Sequence, residues 1–476
     1  MKNNWKPTYI DLFCGAGGLA IGFAQAEYEL LLANDIDRQA LKTLERNLDI
    51  LHPKQRSRVI HADIRELYTL LGVGKVEEVQ LGHKICETRR AKDLARNVPS
   101  VFENDEFKDV LKGIRSCDVL VGGPPCQGFS MIGRSKRGNL HDRSQGFVDD
   151  PRNILFNYFL KFVEKLNPKV VLIENVKGLS SASSYKELIE RSLKESGGGY
   201  DVCSQVINAA DFGIPQYRER IFFLAIRKDL IAKGITSASE FFANLSRRKV
   251  EEGVTVDQAI GDLPCIEANP QPNNYAEEKE IPFGHSKSFG MMRSNQPYKK
   301  LIDFSKVGSK KYRNQINTLR GRMVMPRKLF NHKARFHNER DRFIFKHLRP
   351  GKYLTDQGNE KALSRVTYGK TMIDGVVTLN GFADKYFKLH WKRASKTIIA
   401  HLETDGNSYV HPGRRPRSIT PREAARLQSF PDWYEFTGSL RHQFRQIGNA
   451  VPPLLAAHFA EEIRKILLLI AHGKKR

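Results

Sequence analysis

The amino-acid sequence predicts an α/β fold built on a mostly parallel sheet with helices on both faces. Three observations predict it: short apolar runs rich in β-branched residues recur along residues 9–226, helical patterns separate them, and a glycine-rich turn follows the first run. Alternating strands and helices form a parallel sheet because each return to the same edge needs a crossover, usually a helix. In such sheets ligands bind beyond the carboxyl ends of the strands.

The predicted strands are short apolar runs bounded by turn or capping residues. They cover residues 9–13, 30–34, 59–62, 118–121, 169–173 and 221–226. Between them, apolar residues at helical spacing predict helices over 38–48 and 153–166. Further along, Thr420 followed by Pro421 marks the start of a helix over 421–430, and a strongly apolar pattern predicts a helix over 454–469 that packs on the sheet domain.

Charge and pattern divide the chain into three predicted segments. Residues 1–230 form the predicted sheet domain, with a charged insertion at about 73–115 that lacks strand patterns. The alternation is lost in residues 231–414, the predicted smaller domain, and residues 415–476 return to complete the first domain. Of the net charge of +25, a charge of +16 lies in residues 231–415, with 34 Lys and Arg against 18 Asp and Glu. This concentration of positive charge predicts a nucleic-acid-binding region.

Composition excludes several classes of protein. No uninterrupted apolar stretch reaches the roughly 18 residues of a membrane span, and residues 1–9 lack the apolar run of a secretory signal. The six cysteines have neither CxxC spacing nor a neighbouring His cluster, so no metal site is expected. Most of them are expected to be reduced thiols in a cytoplasmic protein, nucleoid-associated if the source is prokaryotic.

Three successive strand ends carry groups suited to a nucleoside cofactor. The first strand ends in a turn containing Gly15 and Gly17 before a helix, so backbone N–H groups can approach an anion. Asp35 ends the next strand and can hold ribose hydroxyls. Asp63 follows a third strand and can accept a hydrogen bond from an adenine amino group. These residues alone do not distinguish a dinucleotide from S-adenosylmethionine.

Further strand ends carry candidate catalytic groups. Two prolines in GGPPCQGFS (122–130) fix the backbone before Cys126, so its thiol is placed where a nucleophile can act. Glu174 lies at the end of a strand in ENV, where a buried carboxylate is costly unless it is paired or used. Arg218 and Arg220 flank a glutamate in QYRER (216–220). Their guanidinium groups suit planar recognition of an oxygen acceptor, although a salt-bridge cluster explains the same pattern.

Six segments, in this order, resemble the motifs of the cytosine-5 DNA methyltransferase family: DLFCGAGG (11–18), PPCQGFS (124–130), ENV (174–176), QYRER (216–220), RPRSITPREAARLQSFPD (415–432) and QIGNAVPP (446–453). Several are long enough that chance agreement is negligible. The resemblance implies a Rossmann-like, S-adenosylmethionine-dependent methyltransferase sheet domain and a smaller target-recognition domain over 231–414. In that second domain the match fades, apart from SKTIIAHLETDGN (395–407). The resemblance also implies a DNA substrate and, in a bacterial restriction–modification system, a partner endonuclease.

The resemblance further implies roles for individual residues. Cys126 would be the nucleophile, and Glu174 would bind and protonate the cytosine ring. Arg220 would contact the cytosine, with Arg218 nearby, and these four residues form the implied catalytic set. The implied cofactor-binding residues are Phe13, Gly15, Gly17, Asp35, Ile36, Asp63, Ile64, Pro125, Leu155 and Asn449. The implied DNA-binding residues are Gln127, Ser130 and Arg134.

The chemistry at carbon 5 accounts for this residue set. Carbon 5 of cytosine is a poor nucleophile, but addition of the Cys126 thiolate at carbon 6 converts the ring into a nucleophilic enamine. Protonation or hydrogen bonding at ring nitrogen 3 by Glu174 makes that addition possible. Because a thiol does not reach carbon 6 inside a stacked duplex, the base must flip out, and residues 128–149 resemble the loop that closes over it. The sequence reveals no base for the carbon-5 proton.

Other functions fit the sequence less well. A tRNA cytosine-5 methyltransferase has the same fold, but the large basic segment favours DNA. A non-enzymatic homologue has no need of intact Cys126, Glu174 and Arg220, and an oxidoreductase has no role for PPCQGFS with ENV. Two departures from the family pattern, the insertion and Ile36 in place of a common aromatic residue, leave the catalytic set intact. A single chain that holds every motif predicts a monomer.

Overall fold

The computed structural model describes residues 5–52, 58–70, 109–111, 113–125, 154–179, 183–231, 235–269, 302, 305–326, 328–366, 370–373, 376–379 and 385–471. The strands there are β1 (Thr8–Leu12), β2 (Glu29–Asp35), β3 (Val59–His61), β4 (Val119–Gly122), β5 (Val170–Val176), β6 (Tyr200–Asn208), β7 (Gln216–Tyr217), β8 (Glu219–Arg227), β9 (Thr318–Leu319), β10 (Arg322–Met323), β11 (Lys370–Ile373), β12 (Val376–Leu379) and β13 (Ser395–Lys396). The α-helices are α1 (Gly18–Gln25), α2 (Arg38–Leu51), α3 (Ile64–Leu70), α4 (Ile154–Leu166), α5 (Ser183–Glu195), α6 (Lys228–Ile231), α7 (Ala238–Ser246), α8 (Val256–Ile260), α9 (Val307–Asn317), α10 (Glu339–His347), α11 (Glu360–Leu363), α12 (Pro421–Leu427), α13 (Leu440–Asn449) and α14 (Pro453–Ala471).

The largest sheet has seven strands in the order β3-β2-β1-β4-β5-β8-β6. The five strands from β3 to β5 pair in parallel, whereas β8 pairs antiparallel with both β5 and β6. The predicted α/β fold with a mostly parallel sheet is therefore confirmed, and each of the six predicted strands is present. Because parallel strands share a direction, the carboxyl ends of β3, β2, β1, β4 and β5 meet at one edge.

The sequence pattern did not predict the edge strand β6, because its residues do not form an apolar run. Its sequence YDVCSQVIN mixes polar and apolar residues, and most of its side chains are half-buried. An edge strand covered on one side does not need the continuous apolar run that marks a central parallel strand. Its antiparallel pairing with β8 then brings both strands onto the sheet beside β5.

Both faces of the sheet are covered by helices. Phe223 on β8 belongs to a core cluster that includes Phe156, Phe159 and Phe162 of α4. The neighbouring Phe222 points to the opposite face, since strand side chains alternate. Its ring stacks on that of Phe459 of α14, with the two ring centroids 4.4 Å apart. The predicted packing of the C-terminal apolar helix on the sheet domain is thus confirmed.

The chain divides into two compact units. The first comprises Met1–Asn208, Glu219–Lys249 and Leu455–Arg476, and the second comprises Ala209–Arg218 and Val250–Leu454. The second unit contains short two-stranded sheets, β7 with β13 among them, and an apolar cluster of Ile344, Phe345, Leu348, Leu354, Ala362, Val366, Tyr386 and Val410. The division by function into residues 1–230, 231–414 and 415–476 stays a prediction. Most of the 73–115 insertion and the whole of 128–149 lie outside the described residues.

Across the described ranges, no helix combines the length and the apolar character needed to cross a membrane.

The contact between α1 and α14 depends on a glycine. A Cβ atom added to Gly22 would lie 2.5 Å from the backbone of Ala456, so no side chain fits there. Gly22→Ala should lower the free energy of unfolding by about 2 kcal/mol through overpacking. Gly308→Ala is the matched control, because a Cβ at that helical position meets no atom within 4 Å. Urea unfolding measures the free energy of unfolding of both variants, and for Gly308→Ala this should stay the same or rise by up to about 1 kcal/mol. Equal losses for the two variants would contradict the packing.

Candidate active site

The first strand of the sheet ends in a strained turn. Phe13, Gly15 and Gly17 all have positive φ angles, of 60°, 53° and 79°, which a glycine adopts readily and a phenylalanine rarely does. Gly17 caps α1 without a side-chain hydrogen bond from any described residue. The turn therefore presents backbone N–H groups at a helix N-terminus, where negative charge is favoured.

Two acidic residues lie beside this turn. Asp35 accepts hydrogen bonds from the N–H groups of Gly15 (2.8 Å) and Asp37 (2.7 Å). Burial raises the pKa of Asp35 to about 6 despite these donors. Asp11 on β1 is fully buried, and neither of its oxygens has a hydrogen-bond partner among the described residues. Burial, and secondly the charge of Asp35, raise the pKa of Asp11 well above its usual range. A buried carboxyl group in this state is suited to accept a cationic donor.

The third acid, Asp63, forms a bidentate pair with Arg65. The Arg65 side chain donates to Asp63 Oδ1 (2.8 Å) and Oδ2 (2.5 Å), and both residues are buried. A carboxylate has about four acceptor sites, so Asp63 keeps capacity for a further donor. Ile64 is the buried first residue of α3, and the backbone oxygen of Ile36 lies 3.1 Å from His61 Nε2.

Apart from the buried Ile64, the predicted apolar cofactor residues lie partly exposed along the same strand ends. Phe13 and Leu155 both pack against the core cluster on the α4 face of the sheet while remaining half-buried. Pro125, which follows β4, is also half-buried. The first unit thus places nine of the ten predicted cofactor residues on or beside the ends of β1 to β4 and the start of α4. Asn449 belongs to the second unit.

The backbone that leaves β4 runs close to Glu174. Gly122 and Ile173 are register partners, so the ends of β4 and β5 lie side by side. A Cβ atom added to Gly123 would lie 3.5 Å from Glu174 Oε2, and the side-chain amide of Asn175 donates to Pro124 O (3.1 Å). The Asn175 side chain therefore fixes Pro124, the first proline of PPC. Because Gly123 has no side chain, the Glu174 carboxylate is left open on that side. Cys126, Gln127, Ser130 and Arg134 lie outside the described residues.

Glu174 and Arg220 form an ion pair within the first unit. Arg220 Nε lies 3.2 Å from Glu174 Oε1, and the two side chains are 16% and 13% exposed. The contact lacks hydrogen-bond geometry, so Glu174 Oε1 accepts no hydrogen bond from a described residue. Antiparallel pairing of β5 with β8 sets this contact, because Val176 is the register partner of Arg220. A carboxylate and a guanidinium that are mostly buried but incompletely bonded can both turn toward a planar polar ligand.

Arg218, two residues away in sequence, has a different environment. It belongs to the second unit, is 2% exposed, and donates to the backbone oxygens of Ile398 (2.9 Å), Gly448 (3.3 Å) and Ala450 (3.0 Å). The sequence predicts the same role for both arginines because they belong to one motif, but Arg218 lies between β7 and β8 and has its own long-range partners. Through these contacts the guanidinium of Arg218 is bound to the backbone of the second unit.

The same buried contacts hold the turn that carries Asn449. Gln428 donates to the backbone oxygens of Ile447 (3.0 Å) and Ala450 (2.7 Å). A Cβ atom on Gly448 would lie 2.3 Å from the backbone of Ala400, so the turn is packed tightly. Asn449 itself is exposed, between two buried neighbours. The fixed backbone therefore presents the Asn449 side chain at the surface of the second unit.

A family model for C-5 cytosine-specific DNA methylase matches residues 8–72 and 79–465 of the chain. The Type II methyltransferase M.AgeI of Thalassovita gelatinovora is 31% identical over 490 residues, covering 96% of this chain and 98% of the relative. The Type II methyltransferase M.XorII of Xanthomonas oryzae pv. oryzae is 30% identical, covering 97% and 85%. A solved structure of a DNA modification methyltransferase encoded within an E. coli prophage is 25% identical with a TM-score of 0.56, covering 97% of this chain and 100% of that one.

The two arginines of QYRER should respond differently to substitution. Arg218→Ala removes a donor from three buried backbone oxygens, of which Ala450 O keeps its bond from Gln428, and leaves a cavity, so the free energy of unfolding should fall by about 3 kcal/mol. Arg220→Gln breaks an ion pair that is mostly buried but lacks hydrogen-bond geometry, and the glutamine amide can still donate to Glu174, so the loss should be smaller, about 1 kcal/mol. Urea unfolding of the two variants measures both values. A loss for Arg220→Gln as large as that for Arg218→Ala would contradict the assigned environments.

Proposed function

The chain belongs to the C-5 cytosine-specific DNA methylase family and is a DNA (cytosine-5)-methyltransferase, and we propose that it uses S-adenosylmethionine to methylate a flipped-out cytosine through a covalent Cys126 adduct. The observation that carries the proposal is the ion pair of Glu174 and Arg220 at the end of β5, beside the backbone that leads to Cys126. This pair supplies the polar groups that the cytosine ring requires, and the backbone at Gly123, three residues before the predicted nucleophile, lies beside Glu174.

The residues at the strand ends fit S-adenosylmethionine, which supplies an electrophilic methyl group on a sulfonium sulfur. Asp11 is a buried carboxyl group without a hydrogen-bond partner among the described residues, and it suits the ammonium group of the methionine moiety. Asp35 would hold the ribose hydroxyls and Asp63 the adenine amino group. The turn of Gly15 and Gly17 would bring the N-terminus of α1 toward the carboxylate of the methionine moiety, and the apolar residues Phe13, Ile36, Ile64, Pro125 and Leu155 would enclose the adenine. A contact from Asn449 stays a prediction.

The catalytic residues act on the cytosine. The Cys126 thiolate adds to carbon 6 while Glu174 hydrogen-bonds or protonates ring nitrogen 3, so carbon 5 gains nucleophilic character. Arg220 would contact the base and keep Glu174 oriented. After carbon 5 takes the methyl group, loss of its proton expels the thiolate and restores the aromatic ring. The flipped base is needed because thiol attack requires access to the ring face. In place of the catalytic role predicted for Arg218, we propose that it positions the turn around Asn449.

The Type II methyltransferases among its relatives support a role in restriction and modification. We propose that methylation protects host DNA from a partner endonuclease and that the enzyme acts as a monomer. Gln127, Ser130 and Arg134 stay proposed DNA contacts, and the recognised sequence is expected to be read by the basic second unit.

Two substitutions test the chemistry. Cys126→Ser should abolish methyl transfer to duplex DNA, and Glu174→Gln should lower kcat by roughly a hundredfold or more. The assay measures labelled methyl from S-adenosylmethionine in unmethylated duplex DNA of mixed sequence, with bulk tRNA in parallel. Cofactor binding should persist in both variants, which separates loss of chemistry from loss of folding. Label that appears only in tRNA, or that survives Cys126→Ser, would contradict the proposal.

Cofactor binding should weaken in mild acid. The raised pKa of Asp35, about 6, means that this carboxyl group gains a proton as the pH falls through about 6 rather than about 4. Because a carboxylate accepts stronger hydrogen bonds from hydroxyl groups than the protonated form does, the Kd of S-adenosylmethionine should be roughly tenfold higher at pH 5 than at pH 7. Equilibrium binding measured against pH tests this. Asp35→Asn should bind weakly and lose the fall in affinity that is centred near pH 6, and a wild-type midpoint near pH 4 would contradict the mechanism.

A further inference from the structure

Arg65 is buried beside the proposed cofactor site and has no part in the proposed chemistry. It is 5% exposed, as is Asp63, and the two residues lie on either side of Ile64 at the start of α3. Buried ion pairs often add little net stability, because the cost of taking two charges out of water offsets much of their attraction. The pair is therefore better explained by its effect on Asp63, the acid proposed to receive the adenine amino group.

Arg65 supplies every hydrogen bond that a described residue donates to the Asp63 side chain. Asp63 Oδ1 accepts from the backbone N–H of Arg65 (3.0 Å) and from its Nε (2.8 Å), and Asp63 Oδ2 accepts from Nη2 (2.5 Å). These three donors hold the plane of the carboxylate in one orientation. Because a carboxylate has about four acceptor sites, Oδ1 is filled and one site remains on Oδ2.

Helix capping accounts for only part of this arrangement. The bond from the Arg65 N–H to Asp63 Oδ1 is the one that an N-cap aspartate makes with the second residue of its helix. Asp37 caps α2 in the same way, through an Oδ1 that accepts from the N–H groups of Gln39 and Ala40. The bond from Arg65 Nη2 to Asp63 Oδ2 adds nothing to the cap, yet it requires a buried guanidinium. Its effect is to fix the second oxygen and to compensate the charge of the carboxylate.

The position of Asp63 on the sheet suits recognition of a base. Asp35, which is proposed to hold the ribose, is the register partner of His61, and Asp63 follows His61 by two residues. The side-chain amide of Asn34 donates to Ala62 O (2.9 Å), which fixes the backbone between β3 and α3. An acceptor just beyond the ribose acid suits the amino group of a purine, a group that arginine itself cannot bind because it has no acceptor.

We propose that Arg65 is a positioning residue that makes the cofactor site specific for adenine. By holding Asp63 as an oriented carboxylate, it keeps an acceptor, and not a donor, in front of the exocyclic group of the base. Without Arg65 the buried carboxyl group would take up a proton, since an uncompensated buried charge is costly, and its hydroxyl can then donate to a carbonyl group. This role rests on the proposed use of S-adenosylmethionine and adds the residue that selects an aminopurine over an oxopurine.

Two ligands that differ only in the purine ring test this role. S-adenosylhomocysteine carries an amino donor at carbon 6, whereas S-inosylhomocysteine carries an oxygen acceptor there. The wild-type enzyme should bind the adenosyl ligand roughly a hundredfold more tightly or better, because a carboxylate that faces an oxygen is left unpaired. Arg65→Met should weaken binding of S-adenosylhomocysteine and reduce this preference to about tenfold or less. Isothermal titration calorimetry measures both dissociation constants without turnover.

Arg227→Met is the matched control. Arg227 also forms a bidentate pair with an aspartate two residues away, donating from Nε to Asp229 Oδ1 (2.6 Å) and from Nη2 to Oδ2 (3.2 Å). Its backbone N–H donates to Lys169 O, before the first residue of β5, so the pair lies at the opposite edge of the sheet from Asp63. The preference of this variant should stay within about twofold of the wild-type value.

A second pair of variants decides the question even where Arg65→Met alone does not fold. Asp63→Asn and the double variant Asp63→Asn/Arg65→Met should share one weak preference, within about twofold, because Arg65 acts through the Asp63 carboxylate. The double variant removes both buried charges together, which leaves neither one uncompensated.

A purely structural Arg65 would change thermal unfolding and both dissociation constants together. The preference of Arg65→Met would then equal that of Arg227→Met, and this result would overturn the assignment. So would an effect of Arg65→Met that is undiminished in the Asp63→Asn background. Failure of the wild-type enzyme to bind S-adenosylhomocysteine at all would instead overturn the proposed cofactor.

Discussion

The parallel register of the five strands from β3 to β5 is the constraint on which the candidate site depends. It brings the ends of separate chain segments to one edge, where the backbone of the first turn, Asp35 and Asp63 lie beside one another. The same register places the exit of β4 against Glu174. The switch to antiparallel pairing between β5 and β8 then sets Arg220 against Glu174. A shift of one residue in this last pairing would turn Arg220 to the other face of the sheet.

In the second unit, ion pairs of buried arginines hold the helices in place. Arg417 forms a bidentate pair with Glu423, and Arg426 pairs with Asp262 and Asp432, all of them almost completely buried. Burial raises the pKa of Glu423 and the charge of Arg417 lowers it, with a lowered pKa as the net result. Removing one partner of such a pair leaves an uncompensated charge, which typically costs about 3–5 kcal/mol. This network fixes α12 and, through Gln428, the turn that carries Asn449.

Much of the first unit could be predicted from the sequence, because most of its strands are continuous apolar runs and its candidate site acids lie at or near the ends of those runs. Glu174 was predicted as a strand-end carboxylate, and the structure adds its ion pair with Arg220. Asp11 was not among the predicted cofactor residues, although an acid within a buried strand is itself a signal. Arg65 was missed because its pairing with Asp63 depends on backbone geometry. Arg218 looked equivalent to Arg220 since both are arginines in one motif, yet their long-range partners separate them. The pairing of β7 with β13 joins segments about 180 residues apart in sequence, so no local pattern predicts it.

Covalent catalysis by Cys126 is tested most directly by trapping the adduct on duplex DNA that carries 5-fluorocytosine. Fluorine at carbon 5 cannot leave as a proton does, so the enzyme that has added its thiol and transferred the methyl group stays bound. The proposed mechanism predicts a denaturation-resistant protein–DNA complex that forms only with S-adenosylmethionine present, and peptide mass spectrometry should locate the bond at Cys126. An adduct at another residue, or active enzyme that turns over without any adduct, would contradict it.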